Sequence, residues 1–159
     1  MKIVSAVALL LAAGFLAAGC GKSDSGGAGP KTQMHRDVPP HGGTPVALGD
    51  DYNLELVRDA DAGTLSAYVL DDEMEDFIRS GDPAITIVAR VGSEERTLVL
   101  AAVANPATGE TVGSTSLFQV QADWLKTAGS FEGKLRSLTI RGSTFTDVSF
   151  NFPSGTGKD

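Results

Sequence analysis

From Thr44 onward, apolar and polar residues alternate in short runs broken by Gly, Asp, Asn and Pro. Alternation at period two is the signature of half-buried strands. It predicts strands over Pro45–Leu48, Tyr52–Arg58 and Thr64–Leu70, the last two joined as a hairpin through Asp59-Ala60-Asp61-Ala62-Gly63. Ala84–Val91 and Arg96–Val103 read as a second hairpin around Gly92-Ser93-Glu94. Ser116–Gln121 is another strand, Asp123–Ala128 one helical turn with Asp123 as its N-cap, and Lys134–Arg141 with Thr144–Phe152 a third hairpin. Trp124, Phe118, Phe131, Phe145 and Phe150 are the candidate aromatic core. No segment sustains a helical period. The expected fold is all-β, a small antiparallel β-sandwich of about 7–9 strands, immunoglobulin-like in size but lacking a cysteine pair around Trp124. A small barrel is the alternative architecture.

The first residues follow a different pattern. Lys2 is followed by an uncharged apolar run, Ile3 to Ala18, and then by Gly19 and Cys20. This is the layout of a signal peptide, and the run is short for a membrane span, which needs about 20 apolar residues. Leu16-Ala17-Ala18-Gly19-Cys20 resembles the lipobox of bacterial lipoproteins, with Ala17 where Leu is usual. The resemblance implies cleavage after Gly19, a diacylglycerol thioether on Cys20 and a fatty acid such as palmitate on the new amine. Two or more acyl chains anchor stably, since each buried methylene contributes about 0.8 kcal/mol. In that family an Asp after the cysteine retains the protein at the inner membrane, so Gly21 favours the periplasmic face of the outer membrane.

The organisation that follows is a signal peptide over 1–19, a lipid-anchored Gly/Ser/Pro-rich tether over 20–43, a β domain over 44–152 and a disordered tail over 153–159. The 159-residue chain is long enough for one domain. A lone cysteine excludes an internal disulfide and a cysteine-based zinc site. The formal charge of −7 argues against nucleic-acid binding, which needs a basic face to displace counterions. Loss of residues 1–19 removes only Lys2 among the charges, leaving −8. Residues 50–82 hold eleven acids against two bases, a net of −9, whereas residues 126–141 carry +3. Such asymmetry steers a charged partner or simply marks two solvated faces.

Pro40-His41-Gly42-Gly43, Leu48-Gly49, Leu54-Glu55-Leu56-Val57, Gly63-Thr64-Leu65 and Tyr68-Val69-Leu70-Asp71 are recognisable as a set. The set resembles small bacterial envelope lipoproteins of uncharacterised role that open on His-Gly-Gly. A short part of it is similar to the start of periplasmic adaptor subunits of heavy-metal efflux pumps. The resemblance covers residues 40–71 and carries fold more than activity. Its efflux part implies a metal-related role in the envelope.

His35 and His41 are the only histidines, and Met34 adds a thioether. Imidazole and soft sulfur suit copper, so His41, His35 and Met34 form a candidate copper or zinc site. The competing reading gives Gly42 and Gly43 an unusual backbone entry into the first strand, with His41 hydrogen-bonding locally. Asp71, Asp72, Glu73, Glu75 and Asp76 are dense enough to suggest calcium but lack the spacing of a calcium loop. Asp59-Ala60-Asp61-Ala62-Gly63 starts like an EF-hand and then departs from it. No histidine lies inside the strand region where a triad would be held rigidly, and no Gly-rich phosphate loop occurs. The expectation is therefore a lipid-anchored, non-enzymatic binding or interaction protein of the cell envelope. It contacts the membrane through Cys20, has an envelope protein as its candidate partner and requires no cofactor. The alternative is an extracytoplasmic metal-binding protein for heavy-metal handling.

Overall fold

Residues 38–156 are described by a computed structural model. Period-two alternation produces eight strands: β1 (Thr44–Leu48), β2 (Tyr52–Asp59), β3 (Thr64–Asp71), β4 (Ala84–Val91), β5 (Glu94–Ala102), β6 (Leu117–Gln121), β7 (Phe131–Ile140) and β8 (Ser143–Phe152). A 3₁₀ turn, Asp123–Lys126, precedes β7. Every pairing is antiparallel, and the strands form one sheet in the order β1-β2-β3-β6-β5-β4-β7-β8. The all-β antiparallel class and the three hairpins match the pattern of the sequence. All strands share one sheet, so the layers facing each other across the core are parts of the same sheet, nearly closed as a barrel.

The core draws on every strand. Val46, Leu54, Ala67, Ile87, Leu100, Phe118, Leu135 and Phe150 belong to one buried cluster. Phe131 is buried in the same cluster, and Phe145 and Trp124 pack against it. Leu125 of the 3₁₀ turn, which lies against β2 and β3, is fully buried there too.

Three local expectations change. Asp123 is not the cap of its turn: Ala122 holds the N-cap position, and Asp123 pairs with Lys126 Nζ at 2.9 Å. β7 starts at Phe131, ahead of the expected Lys134, because Gly133 continues the strand beneath the Phe150 ring. Residues 153–156, expected within a tail, are docked instead. The chain turns back after Phe152, so that Asn151 and Gly155 exchange backbone hydrogen bonds. Thr44 Oγ1 then donates to Pro153 O at 3.1 Å, and Thr156 Oγ1 accepts from Ala47 N at 3.2 Å. These contacts bridge β1 to the end of β8 and cover the open β1 edge, which would otherwise invite pairing with another chain.

Candidate functional site

Along β2 and β3, Leu54, Leu56, Leu65, Ala67 and Val69 point into the core, which leaves Glu55, Ser66, Tyr68 and Leu70 on the outward face. A glutamate at such a position is normally solvated, but the Glu55 side chain is fully buried. The cover is the segment before β1. His41 N donates to Glu55 Oε1 at 2.8 Å, and Gly43 N donates to the same oxygen at 2.9 Å. His41 Nδ1 lies 2.8 Å from Oε2. In the tautomer with its proton on Nδ1 the imidazole donates to this oxygen, and Nε2 faces away from the clasp.

The local sequence explains why the segment folds over. Gly42 has φ +66°, a left-handed conformation that glycine adopts without a Cβ penalty. A Cβ on Gly43 would lie 2.6 Å from Leu56 O and 2.8 Å from Glu55 Cγ, so only glycine approaches β2 this closely. Pro39 O accepts from Gly42 N at 2.9 Å and closes the turn. Residues 41–43, expected as the end of a tether, are therefore part of the domain.

His41 also stacks on Tyr68, with centroids 4.0 Å apart and planes 16° off parallel. Tyr68 lies directly opposite Glu55 in the β2–β3 ladder. Phe77 completes an aromatic group, 5.8 Å from His41 and 6.1 Å from Tyr68. It is 47% exposed, whereas the neighbouring Leu70 and Met74 are buried outside the barrel core. The loop between Asp71 and Phe77 is tightly built. Asp71 Oδ1 accepts from Glu75 N at 2.9 Å and Asp76 N at 3.2 Å, and Met74 sits at φ +58°. The dense carboxylates thus divide: Asp71 holds the loop, while Asp72, Glu73, Glu75 and Asp76 face solvent. Asp59 likewise serves its turn, accepting from Asp61 N and Ala62 N at 2.9 and 3.0 Å.

A second buried carboxylate, Glu110, lies in the β5–β6 connection. Burial pushes its pKa up, but hydrogen bonds from Ser116 Oγ and N and from Thr108 Oγ1, with the charge of Arg79, hold it below the ordinary carboxylate value. A surface hollow of about 850 Å³ lies over the outer side of β4, β7 and β8. Its charges are largely satisfied in place, since Arg90 pairs with Glu132 and Arg136 pairs with Asp147.

Of the candidate metal ligands, only His41 is described; Met34 and His35 lie outside the described residues, as does Cys20. His41 commits Nδ1 to Glu55 and one ring face to Tyr68, leaving Nε2 as its remaining ligand atom. Among the described residues, no three His, Cys, Asp or Glu side chains converge on a point where a metal would sit, and no helix is long and apolar enough to cross a membrane. The sequence pattern singles out neither Glu55 nor Phe77 as a functional residue. Two successive glycines after a histidine were the available sign that the backbone comes close to something. The chain matches no family model, no curated protein and no solved structure.

Proposed function

We propose that this chain is a lipid-anchored protein of the cell envelope whose β domain is a non-enzymatic binding module. The observation that supports this reading most is the use of its buried polar groups. Among the described residues, the buried polar residues Thr44, Glu55, Ser66, Ser80, Glu110, Thr115 and Ser116 are each hydrogen-bonded within the fold, and Arg96 Nε is the one buried side-chain atom left without a partner. Buried polar groups that complete one another rigidify a scaffold. Catalytic groups are instead left free to meet a substrate, often with strongly perturbed pKa values. What this domain offers outward is surface: exposed aromatic and acidic side chains on a rigid sheet.

The lipid anchor is tested by Cys20→Ser. The variant is expected to lose labelling by a fatty-acid probe and to leave the membrane fraction; retention and labelling equal to wild type refute the anchor. The binding role is tested by crosslinking intact cells, where a discrete higher-mass adduct of the wild-type chain is expected. A chain that stays at its own mass under conditions that crosslink known envelope complexes refutes the binding role.

A further inference from the structure

The sheet end formed by the β1–β2 turn and the β3–β4 loop concentrates charge of one sign. Tyr52 pairs with Asp71 in the ladder, and Asn53 Nδ2 donates to Asp71 O at 3.2 Å and Asp72 O at 3.1 Å, so the turn and the loop are neighbours. Asp50 and Asp51 of the turn and Asp72, Glu73, Glu75 and Asp76 of the loop are all exposed. Among the described residues, none of these six is in an ion pair. The one base nearby in sequence, Arg79, is turned away to Thr108 O and Gly109 O. Directly following the acids comes Phe77, exposed and set edge-on to Tyr68, which is itself stacked on His41. Leu70 and Met74, on either side of the first loop acids, are buried outside the barrel core, and the Glu55 clasp holds His41 in place.

Aromatic faces attract cations through their quadrupole, and guanidinium groups stack on them while pairing with carboxylates. Six unpaired acids spread over a turn and a loop exceed what one ammonium group needs and suit several cationic side chains in sequence. We propose that this surface, with His41, Tyr68 and Phe77 as its aromatic floor and Asp72, Glu73, Glu75 and Asp76 as its rim, docks an extended arginine- or lysine-bearing segment of a partner protein. The inference rests on the binding-module reading and names the partner chemistry of that module. His41 comes from the segment preceding β1, so the surface is complete only while that segment is clasped.

The test uses the full-length chain in detergent and a fluorescent hexa-arginine peptide, with hexa-glutamate as control, at about 0.15 M salt, where long-range attraction is screened beyond roughly 8 Å. Saturable binding of hexa-arginine is expected. Phe77→Ala should weaken it about tenfold. The combined Asp72→Asn, Glu73→Gln, Glu75→Gln and Asp76→Asn variant should weaken it at least as much, and His41→Ala by a smaller factor. Phe77 and the four acids are exposed, so unchanged thermal unfolding of those variants confirms that the fold is intact. Absence of hexa-arginine binding overturns the inference. So does binding that the acid variant abolishes but Phe77→Ala leaves untouched, which is charge attraction without a site. Binding to phosphatidylcholine vesicles through Phe77 without response to the peptide also overturns it, in favour of a lipid headgroup. The crosslinked adduct is scored separately. An adduct that persists when the peptide does not bind removes this surface and leaves the module reading standing.

Discussion

Removal of the Glu55 carboxylate should release residues 38–43 while sparing the barrel. Three hydrogen bonds of 2.8–2.9 Å converge on a fully buried carboxylate. Hydrogen bonds to a charged group contribute about 1.5–3 kcal/mol each, so a simple sum gives about 4.5–9 kcal/mol. That sum is a ceiling. The clasp lies on the outer face of the sheet, so once it opens, the freed N–H groups of His41 and Gly43 are taken up by water. The loss therefore saturates at the free energy of docking the segment, to which the His41–Tyr68 stack adds about 0.5–1.5 kcal/mol. Glu55→Ala should cost about 2–3 kcal/mol. Glu55→Gln should cost about 1 kcal/mol, because its amide oxygen still accepts from both backbone N–H groups while its NH₂ meets an imidazole that has switched tautomer. Urea unfolding measures the totals. Amide exchange measures the locus: Gly43 should exchange at least about thirtyfold faster in Glu55→Ala, while core amides such as that of Leu135 change only with global stability. Unchanged Gly43 protection in Glu55→Ala refutes the clasp. Equal damage from Gln and Ala refutes the assignment of the effect to its hydrogen bonds.

Two further perturbations test the packing and the electrostatics. A Cβ at Gly133 would fall within the ring of Phe150, which is 3% exposed, so Gly133→Ala should destabilise by about 3 kcal/mol in urea unfolding; a loss below about 0.5 kcal/mol would mean that the ring is mobile. Glu110 has a folded-state pKa below its unfolded value near 4.5, so its contribution is fully present above that pH and is lost as pH falls toward the folded-state pKa. The urea midpoint of wild type should therefore fall more steeply than that of Glu110→Gln below about pH 4.5, and parallel curves would contradict the hydrogen bonding from Ser116 and Thr108.

The strands were legible because most keep one two-residue period and are stopped by residues that tolerate left-handed backbone; β7 and β8 change phase midway, between Leu135 and Leu138 and between Phe145 and Val148, where Asp147 sits at φ +52°. Arg141 and Gly142, at φ +48° and +89°, form the two-residue turn that the right-handed twist of a hairpin prefers, and Gly92 at +61° begins another. Where the reading slipped, tertiary packing overrode the local signal. Gly133 reads as a breaker in isolation, yet it is the residue that leaves room for Phe150. Pro153 and Gly155 read as the start of a tail, yet they fold onto β1 because its edge is otherwise unpaired. Glu55 was illegible for a related reason. Period two assigned it correctly to the outward face but says nothing about what covers that face, and the cover comes from residues that carry no strand pattern.

The same distinction changes what the charge asymmetry means. Eleven acids in residues 50–82 suggest a uniformly negative surface when counted along the sequence. In the fold, four of them are committed to backbone N–H groups: Glu55 to the clasp, Asp59 to its turn, Asp71 to its loop, and Asp82, which accepts from Thr139 N at 2.7 Å, to β7. Each of these carboxylates has its position fixed by its role in the fold, and converting it to alanine would be read first in stability. Six of the remaining seven lie together at one end of the sheet, and the seventh, Asp61, lies in the β2–β3 turn at the other end. Mutual repulsion among six unpaired carboxylates disfavours their clustering, and they contribute no hydrogen bond to the barrel that would compensate. A cluster that the fold does not use, next to an aromatic side chain that the core does not use, is the part of this surface whose composition the fold leaves to function.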